Sequence, residues 1–368
     1  MIPETVEAHG IRLRPTRPAD VPDLVAGCGD PETRRFIPAM PDPYDAASAR
    51  WWITEGEPAV WAAGGCAYAI ADPDTDRLLG GIGLTRLAVA RADYEIGYWV
   101  VPWARGRGVA TAATRALGER AFAAGAARLE LLTHLENEPS QRAALSCGYR
   151  REGVRRAASA ARDGVRHDLV AWVRLADDPA GPTARLLPDL PGGRLTDGVV
   201  TLRRLEPADA DALHRLHTLP EVVANRVPPT PPDRESIARR CRLAAGYWLA
   251  GDAADLAILD AATGTLVGGC ALGYDEPATG QATLGYSLLP EARGRGLATR
   301  TVRLLAGWAF DVGVARLWAG ARVENVVSQR VLERAGFRRE GLLRGRMPGV
   351  AGARTDSVVF GRLASDRD

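Results

Sequence analysis

Two ten-residue segments of the chain, Val101–Ala110 and Leu289–Ala298, carry the same alternation of arginine and glycine. An apolar run typical of a β-strand precedes each segment, and an alanine-rich amphipathic stretch typical of a helix follows it. Glycines let a backbone approach a ligand and adopt positive φ, and the first N–H groups of a helix have no internal partner. With the helix dipole added, this layout predicts a backbone site for phosphate or another anion.

Other interpretations of the loop are weaker. One copy alone is equally compatible with a tight turn that carries surface arginines. The Rossmann pattern is not met, and no Gly-Lys-Ser/Thr follows the glycines as it would in a P-loop. Arginine–glycine segments that contact nucleic acid are usually longer and disordered. The second copy, in the same strand–turn–helix setting, favours the anion site.

The loops belong to a longer repeat. Arg105 and Arg293 are 188 residues apart, and so are Tyr98 and Tyr286. The same spacing relates four further pairs: Asn137 and Asn325, Gly148 and Gly336, Glu152 and Glu340, and Asp168 and Asp356. Because solenoid repeats are only 20–50 residues long, this period predicts a duplicated domain. We expect domains at 1–178 and 196–368, joined by a proline- and glycine-rich linker at 179–195.

Each half shows the same order of predicted elements, and this order indicates a mixed α/β sheet flanked by helices. In the first half, the predicted strands are 10–14, 66–71, 79–88, 94–100, 128–134, 149–155 and 167–175. The predicted helices there are 18–27, 45–55, 107–124 and 138–146.

Composition limits the class of protein. The 368 residues are 46% hydrophobic and 25% charged, with a net charge of +2, which implies no bulk attraction to nucleic acid or anionic membrane. The five cysteines show no Cys-x-x-Cys spacing, so we expect neither a metal site nor a disulfide framework. No signal peptide or run of 18 apolar residues is present, and the chain is predicted to be cytoplasmic.

The spacing Arg-x-x-Gly-x-Ala in each loop resembles the acyl-CoA pyrophosphate loop of the GCN5-related N-acetyltransferases (GNAT). Further motifs resemble the RimJ/RimL-like branch of that superfamily. They are Leu-Arg followed by Pro-Ala-Asp, Gly-Tyr before the loop, Asn-x-x-Ser-x-Arg, Gly-Tyr/Phe-Arg-Arg-Glu-Gly, and a late Asp in the last strand. The resemblance covers nearly the whole chain outside the linker. It implies two tandem GNAT domains, in each of which the sheet splays after the Gly-Tyr strand and holds acetyl-CoA.

The resemblance also implies roles for particular residues. Ser140 and Ser328 are implied to be general acids near the CoA thiol. Asn137 and Asn325 are implied to contact CoA, although each is equally compatible with a plain helix N-cap. The remaining implied CoA-binding residues are Tyr98, Trp99, Val100, Arg105, Gly106, Arg107, Gly108, Val109, Ala110, Leu288, Arg293, Gly294, Arg295, Gly296, Leu297 and Ala298.

The strand before the first loop carries Glu95, a candidate general base, either directly or through water. It could equally be an outward-facing strand charge, and the second half has Thr283 in its place. Glu152 and Glu340 are alternative bases in a context that predicts a solvated turn. His134, which ends a strand, is either structural or part of an acceptor pocket.

These residues predict an acetyl-CoA-dependent N-acetyltransferase that acts on a primary amine, either a small molecule or a protein N-terminus. We expect no metal, nucleic-acid or membrane partner, and a monomer or homodimer. The alternative is a CoA-binding sensor or scaffold in which one or both domains do not turn over. Because only Glu95 is a carboxylate on the strand that leads into the splay, the first domain is predicted to do more of the chemistry.

Overall fold

The computed structural model describes residues 4–88, 90–162, 164–349 and 352–366. The chain divides into two compact units, Met1–Ala184 (unit 1) and Arg185–Asp368 (unit 2). Leu187 and Leu190, which lie within the stretch predicted as a linker, are buried in the core of unit 2.

The elements of unit 1 follow the predicted order. Its strands are β1 Val6–Ala8, β2 Ile11–Arg14, β3 Cys66–Ala71, β4 Leu78–Ala88, β5 Asp93–Val100, β6 Arg128–His134, β7 Arg150–Ala160 and β8 Arg166–Leu175. Its helices are α1 Val21–Cys28, α2 Pro31–Phe36, α3 Ala46–Trp51, α4 Glu57–Ala62, α5 Val109–Ala123 and α6 Glu138–Ser146.

Unit 2 repeats these elements with one helix fewer before its third strand. Its strands are β9 Arg194–Thr196, β10 Val200–Arg204, β11 Ala253–Asp260, β12 Leu266–Glu276, β13 Gln281–Leu288, β14 Arg316–Arg322, β15 Arg338–Pro348 and β16 Arg354–Leu363. Its helices are α7 Ala210–His217, α8 Pro220–Val223, α9 Arg234–Leu249, α10 Leu297–Asp311 and α11 Val326–Arg334.

Each unit forms one eight-stranded mixed sheet. The strand order is β1-β2-β3-β4-β5-β6-β8-β7 in unit 1, and unit 2 has the equivalent order from β9 to β15. Among the described strand pairs, β5–β6 and β13–β14 are parallel and all the others are antiparallel. The prediction of two α/β units with mixed sheets flanked by helices is therefore confirmed.

Several local predictions were wrong. The helix expected at 45–55 is interrupted by a wide π turn at Trp52–Gly56, beside Pro58, which has no N–H to donate to the preceding turn. The helix expected from 107 begins at Val109, because Gly108 at φ +78° lies outside helical geometry. Glu152 lies in strand β7, as the predicted strand at 149–155 implies, and Glu340 lies in β15, so the turn suggested by their Arg-Arg-Glu-Gly context is not formed. The short elements β1, β9, α2 and α8 were not predicted, since three to six residues show too little periodicity.

Candidate functional site

The sheet of each unit opens beside its glycine loop. Strands β5 and β6 pair in parallel only from Asp93 to Glu95, and among the described residues the rest of β5 has no strand partner on that side. In unit 2, β13 and β14 pair only from Gln281 to Thr283. The two central strands therefore part at the same position of the repeat, and the glycine loop follows the end of the parted strand.

The loop presents helix N–H groups without a side-chain cap. Gly108 and Gly296 are the N-cap residues of α5 and α10, at φ +78° and +76°, and neither helix has a side-chain cap hydrogen bond among the described residues. A Cβ atom added at either glycine would meet no atom within 4 Å. The space above each helix start is therefore open, and the uncapped N–H groups can donate to an anion there.

The first arginine of each loop is engaged with its own unit. In unit 1, Arg105 donates to the carbonyl oxygen of Val100 at 3.2 Å and to the hydroxyl of Thr33 at 2.8 Å, and it also pairs with Asp30. These contacts tie the loop to the end of β5 and to α2. Arg105 therefore shapes the loop, and the N–H groups of the helix remain for an anion.

Unit 2 repeats this arrangement with a different carboxylate. Arg293 donates to the carbonyl oxygen of Leu288 at 3.1 Å and pairs with Glu221 of α8 at 2.7 Å. The second loop arginine, Arg295, pairs with Asp260 at 2.7 Å. Hydrogen bonds donated by Thr75 are the main cause of the lowered pKa of Asp72, and the charge of Arg107, the counterpart of Arg295, is a minor one.

A tyrosine hydroxyl spans the opening in each unit. The hydroxyl of Tyr98 lies 2.9 Å from Oγ of Ser140, and that of Tyr286 lies 2.9 Å from Oγ of Ser328. Burial raises the pKa of Tyr98, and it raises the pKa of Tyr286 to about 12, so both phenols stay protonated at neutral pH. The sequence placed Tyr98 and Ser140 in the site but did not indicate this contact. The tyrosine and the serine are 42 residues apart in both halves, and this shared separation could have indicated the contact.

The two asparagines cap the helices that carry these serines. The side-chain oxygen of Asn137 accepts from the N–H of Ser140 at 3.2 Å, and that of Asn325 accepts from Ser328 at 3.1 Å. Each cap fixes the first turn of α6 or α11, and with it the serine. Because the cap uses only the side-chain oxygen, the NH2 group of each asparagine can still donate to a ligand.

Residues at the end of the parted strand differ between the units. Trp99 packs over Gly27 of α1 and Gly81 of β4, where an added Cβ would lie 2.3 Å and 2.6 Å from the indole. Unit 2 has Ser287 at the equivalent position and a fully buried leucine, Leu216, in place of Gly27. Between the two units, one of these two positions is therefore larger and the other smaller.

Glu95 of unit 1 belongs to a charged cluster. It is half-buried and lies in register with Glu130 of β6 at the last pair before the strands part. Glu130 is 1% exposed and accepts a hydrogen bond of 2.5 Å from Arg155 of β7. Burial raises the pKa of Glu95, and the charge of Glu130 raises it further, while Arg155 opposes the rise. The sequence indicated Glu95 but neither of its two neighbours.

Unit 2 lacks all three members of this cluster. Thr283, Trp318 and Leu343 occupy the positions of Glu95, Glu130 and Arg155. The hydroxyl of Thr283 donates to the carboxylate of Asp275, which lies on the neighbouring strand β12. The sequence did not indicate Asp275 as a candidate base, because it lies on the strand before the one that carries the Gly-Tyr motif.

The other candidates for catalytic or acceptor-pocket residues make structural contacts. Glu152 and Glu340 pair with Arg128 and Arg316, at 2.7 Å and 2.5 Å. His134 lies half-buried with its ring centroid 5.5 Å from Phe36 and 5.6 Å from His167. Burial, followed by the charge of His167, lowers the pKa of His134, so its ring is neutral near pH 7.

Each late aspartate of the repeat holds the strand beside it. Asp168 accepts from the backbone N–H of Ala157 at 2.8 Å, and Asp356 accepts from that of Gly345 at 2.7 Å. Among the described residues there is no cluster of metal-ligating side chains and no helix long and apolar enough to span a membrane. The five cysteines are buried free thiols.

Comparison with known proteins identifies the family. The acetyltransferase (GNAT) domain model matches twice, at residues 11–150 and 200–338. The chain belongs to the GNAT acetyltransferase family. One GNAT domain lies in each unit, and the family's activity is acetyl transfer to nitrogen.

Two curated relatives are similar to parts of the chain. An uncharacterized N-acetyltransferase, p20 of Bacillus licheniformis, is 31% identical over 148 residues, which are 39% of this chain and 82% of p20. The probable N-acetyltransferase YjcK of Bacillus subtilis is 42% identical over 86 residues, 23% of this chain and 47% of YjcK. Among solved structures, Mycobacterium smegmatis RimJ in complex with CoA-disulfide is 27% identical, covering 47% of this chain and 86% of RimJ, with a TM-score of 0.40.

Proposed function

We propose that both GNAT domains bind acetyl-CoA and transfer its acetyl group to a primary amine. One observation carries the proposal. In each unit the central strands part immediately before a glycine loop and an uncapped helix N-terminus, and a Tyr–Ser hydroxyl pair lies across the opening. A diphosphate at the helix start and a thioester in the opening would match these donors.

The reaction then needs little more from the protein. The neutral amine attacks the thioester carbonyl carbon, the C–S bond breaks, and the amine proton passes to a base such as Glu95 in unit 1. The leaving thiolate takes a proton from Ser140 or Ser328. Thiols have an ordinary pKa of about 8.5, so the thiolate is a good leaving group that needs little assistance from this acid.

Two acceptor types fit this chemistry, a small molecule and a protein N-terminus. We favour a small molecule, by analogy from the tandem arrangement of two donor sites in one chain. The rival function, a sensor that binds CoA without turnover, shares the loop geometry but requires no base.

The test is a screen of primary amines for release of free CoA thiol from acetyl-CoA, with amino sugars, amino acids and N-terminal peptides as separate groups. The expected result is thiol release that depends on one group of amines. Acetyl-CoA binding by calorimetry without thiol release for any amine would instead favour the sensor.

A further inference from the structure

Strand β12 of unit 2 carries a β-bulge beside the opening of the sheet. Gly273 pairs with Thr283 and Glu276 pairs with Gln281, so the residues between them face a single partner residue on β13. Bulges of this kind turn a side chain away from the regular alternation of the strand. Here the bulge brings the carboxylate of Asp275 to the hydroxyl of Thr283.

Unit 1 has the corresponding bulge with an apolar residue in it. The pairing of β4 with β5 shifts between Arg86 and Ala88, and the bulged residue is Leu87, which is exposed. The two units have therefore exchanged residue types between two adjacent strands. Unit 1 has Leu87 and Glu95 where unit 2 has Asp275 and Thr283.

The Asp275 carboxylate lies beside the last strand pair before the sheet opens. Thr283 donates to it through its hydroxyl. Thr283 pairs in register with Trp318, which replaces Glu130 of unit 1. The side chain of Asp275 is exposed, yet partial desolvation raises its pKa, and the nearby charge of Glu276 raises it further. Burial is also the main cause of the raised pKa of Glu95.

We propose that Asp275 is the proton acceptor of unit 2, taking over on β12 the position that Glu95 holds on β5 of unit 1. The proposal rests on the proposed amine acetylation. The amine nitrogen forms a bond to the acetyl carbon, the C–S bond breaks, the proton of the amine moves to Asp275, and CoA leaves as a thiol protonated by Ser328. Unit 2 is then a second catalytic domain, with Thr283 as a positioning residue.

The test uses the full chain with Gly108→Val, which removes the donor site of unit 1 and leaves thiol release to unit 2. In this background, Asp275→Asn keeps the size of the side chain and removes its basicity. We expect turnover to fall about 10²-fold or more, with binding of acetyl-CoA to unit 2 unchanged by calorimetry. The matched control is Glu333→Gln, an exposed carboxylate on α11, which should leave turnover unchanged.

A rescue experiment separates chemistry from structure. Asp275→Leu places the residue of unit 1 in the bulge and should abolish turnover of unit 2. Adding Thr283→Glu rebuilds the arrangement of unit 1. We expect the rate of this double variant to be at least tenfold higher than that of Asp275→Leu alone. A structural role for Asp275 would not be rescued by a carboxylate on another strand.

The outcomes distinguish this proposal from the proposed function. If wild-type protein releases no thiol with any amine, the proposed function itself is wrong. If the Gly108→Val protein binds acetyl-CoA in unit 2 but has no turnover, both acetyl transfer by unit 2 and the assignment of Asp275 are overturned, while transfer by unit 1 stands. If Asp275→Asn keeps the full rate, only the assignment of Asp275 is overturned.

Discussion

The residues that would bind the acyl donor (the donor side) and those that would face the amine acceptor (the acceptor side) differ between the two units to different degrees. Tyr98 and Ser140 of unit 1 are matched by Tyr286 and Ser328, with the same 2.9 Å contact. Across the opening, by contrast, Glu95 and its charged neighbours are replaced by a threonine, a tryptophan and a leucine. Groups that would face a common donor have been retained, whereas groups that would face the acceptor have changed.

The changes come as compensating pairs rather than as single losses. Trp99 and Gly27 of unit 1 are replaced in unit 2 by Ser287 and Leu216, so that one position loses side-chain volume and the other gains it. Glu95 beside Leu87 becomes Thr283 beside Asp275, which keeps a carboxylate at the opening. Divergence of this kind is what we expect of two domains that use one donor and handle different acceptors.

The largest expected effect comes from breaking the shared donor side. A side chain at Gly108 or Gly296 would enter the open space above the helix start, and valine at positive φ is strained by about 1–3 kcal/mol. Gly108→Val and Gly296→Val should each remove one CoA site, and the double variant should remove both. Titration calorimetry measures the number of sites directly.

Wild-type protein should therefore bind two CoA molecules per chain. Gly313→Val, at another glycine of positive φ beyond the end of α10, controls for strain without an effect at the loop. A single site in the wild type would show that the likeness of the two loops does not extend to binding.

The next largest effect should separate the acceptor sides. Glu95→Gln removes the base of unit 1 and leaves its size unchanged, and loss of general-base assistance costs about 10²–10⁴-fold in rate. Measured in a Gly296→Val background, where only unit 1 binds the donor, turnover should fall by that factor. Glu152→Gln, which removes an exposed carboxylate of the same sheet, should not lower it.

The sequence-based hypothesis that unit 1 does more of the chemistry can be disproved in the same assay. If Glu95→Gln keeps the full rate while Gly296→Val abolishes turnover, unit 2 is the enzyme. The contact of Asp275 with Thr283 weakens the reason for that hypothesis, since a carboxylate lies at both openings.

Features with a local signature were predictable from the sequence. Strand β3 at Cys66–Ala71, strand β6 at Arg128–His134 and helix α6 at Glu138–Ser146 have the predicted bounds, because their apolar patterns and caps are contiguous. The two predicted anion-binding loops could be recognised because their glycines and arginines are adjacent and recur 188 residues apart.

Features that depend on packing between strands were not predictable. Glu130 neighbours Glu95 because β6 pairs in parallel with β5, and Arg155 of β7 reaches Glu130 across β8; no sequence pattern specifies that strand order. Asp275 reaches Thr283 through a bulge, which shifts the register without a distinctive residue. The engagement of Arg105 with Val100 and α2 was also hidden, since its partners are distant along the chain.

A smaller effect is expected from exchanging the residues at positions 27 and 99 for those of unit 2, which tests whether the two changes compensate each other in packing. Trp99→Ser should destabilise unit 1 by up to about 3–5 kcal/mol, because it empties the space over Gly27 and Gly81. Gly27→Leu alone should also destabilise it, since the new side chain would collide with the indole. The double variant copies unit 2, and we expect a favourable coupling of about 1–3 kcal/mol in a double-mutant cycle.

Chemical denaturation followed by circular dichroism gives these unfolding free energies without relying on tryptophan emission. Trp51→Ser, which removes an exposed tryptophan of the same unit, is the control and should change the unfolding free energy little. Additive effects of Gly27→Leu and Trp99→Ser would mean that Leu216 does not replace the tryptophan of unit 1.

The smallest expected effect concerns how the charged cluster of unit 1 sets the pH range of its base. Glu95 must be ionised to accept a proton, so turnover falls as pH drops through its pKa. Burial and the charge of Glu130 raise that pKa, which places the acidic limb of the pH–rate profile above that of an ordinary carboxyl. Glu130→Gln removes the repulsion from Glu130, so the acidic limb of unit 1 should move to lower pH.

The amine acceptor contributes equally to both profiles, so the difference between variant and wild type isolates Glu95. Both should be measured in the Gly296→Val background, with Glu152→Gln as the control that removes the other carboxylate near Arg128. Unit 2, measured alone, has Trp318 in place of Glu130 and should not respond to Glu130→Gln at all. An acidic limb that stays in place, or that moves to higher pH, would show that the protonation of Glu95 does not limit unit 1. The cluster would then serve the binding of the acceptor rather than its deprotonation.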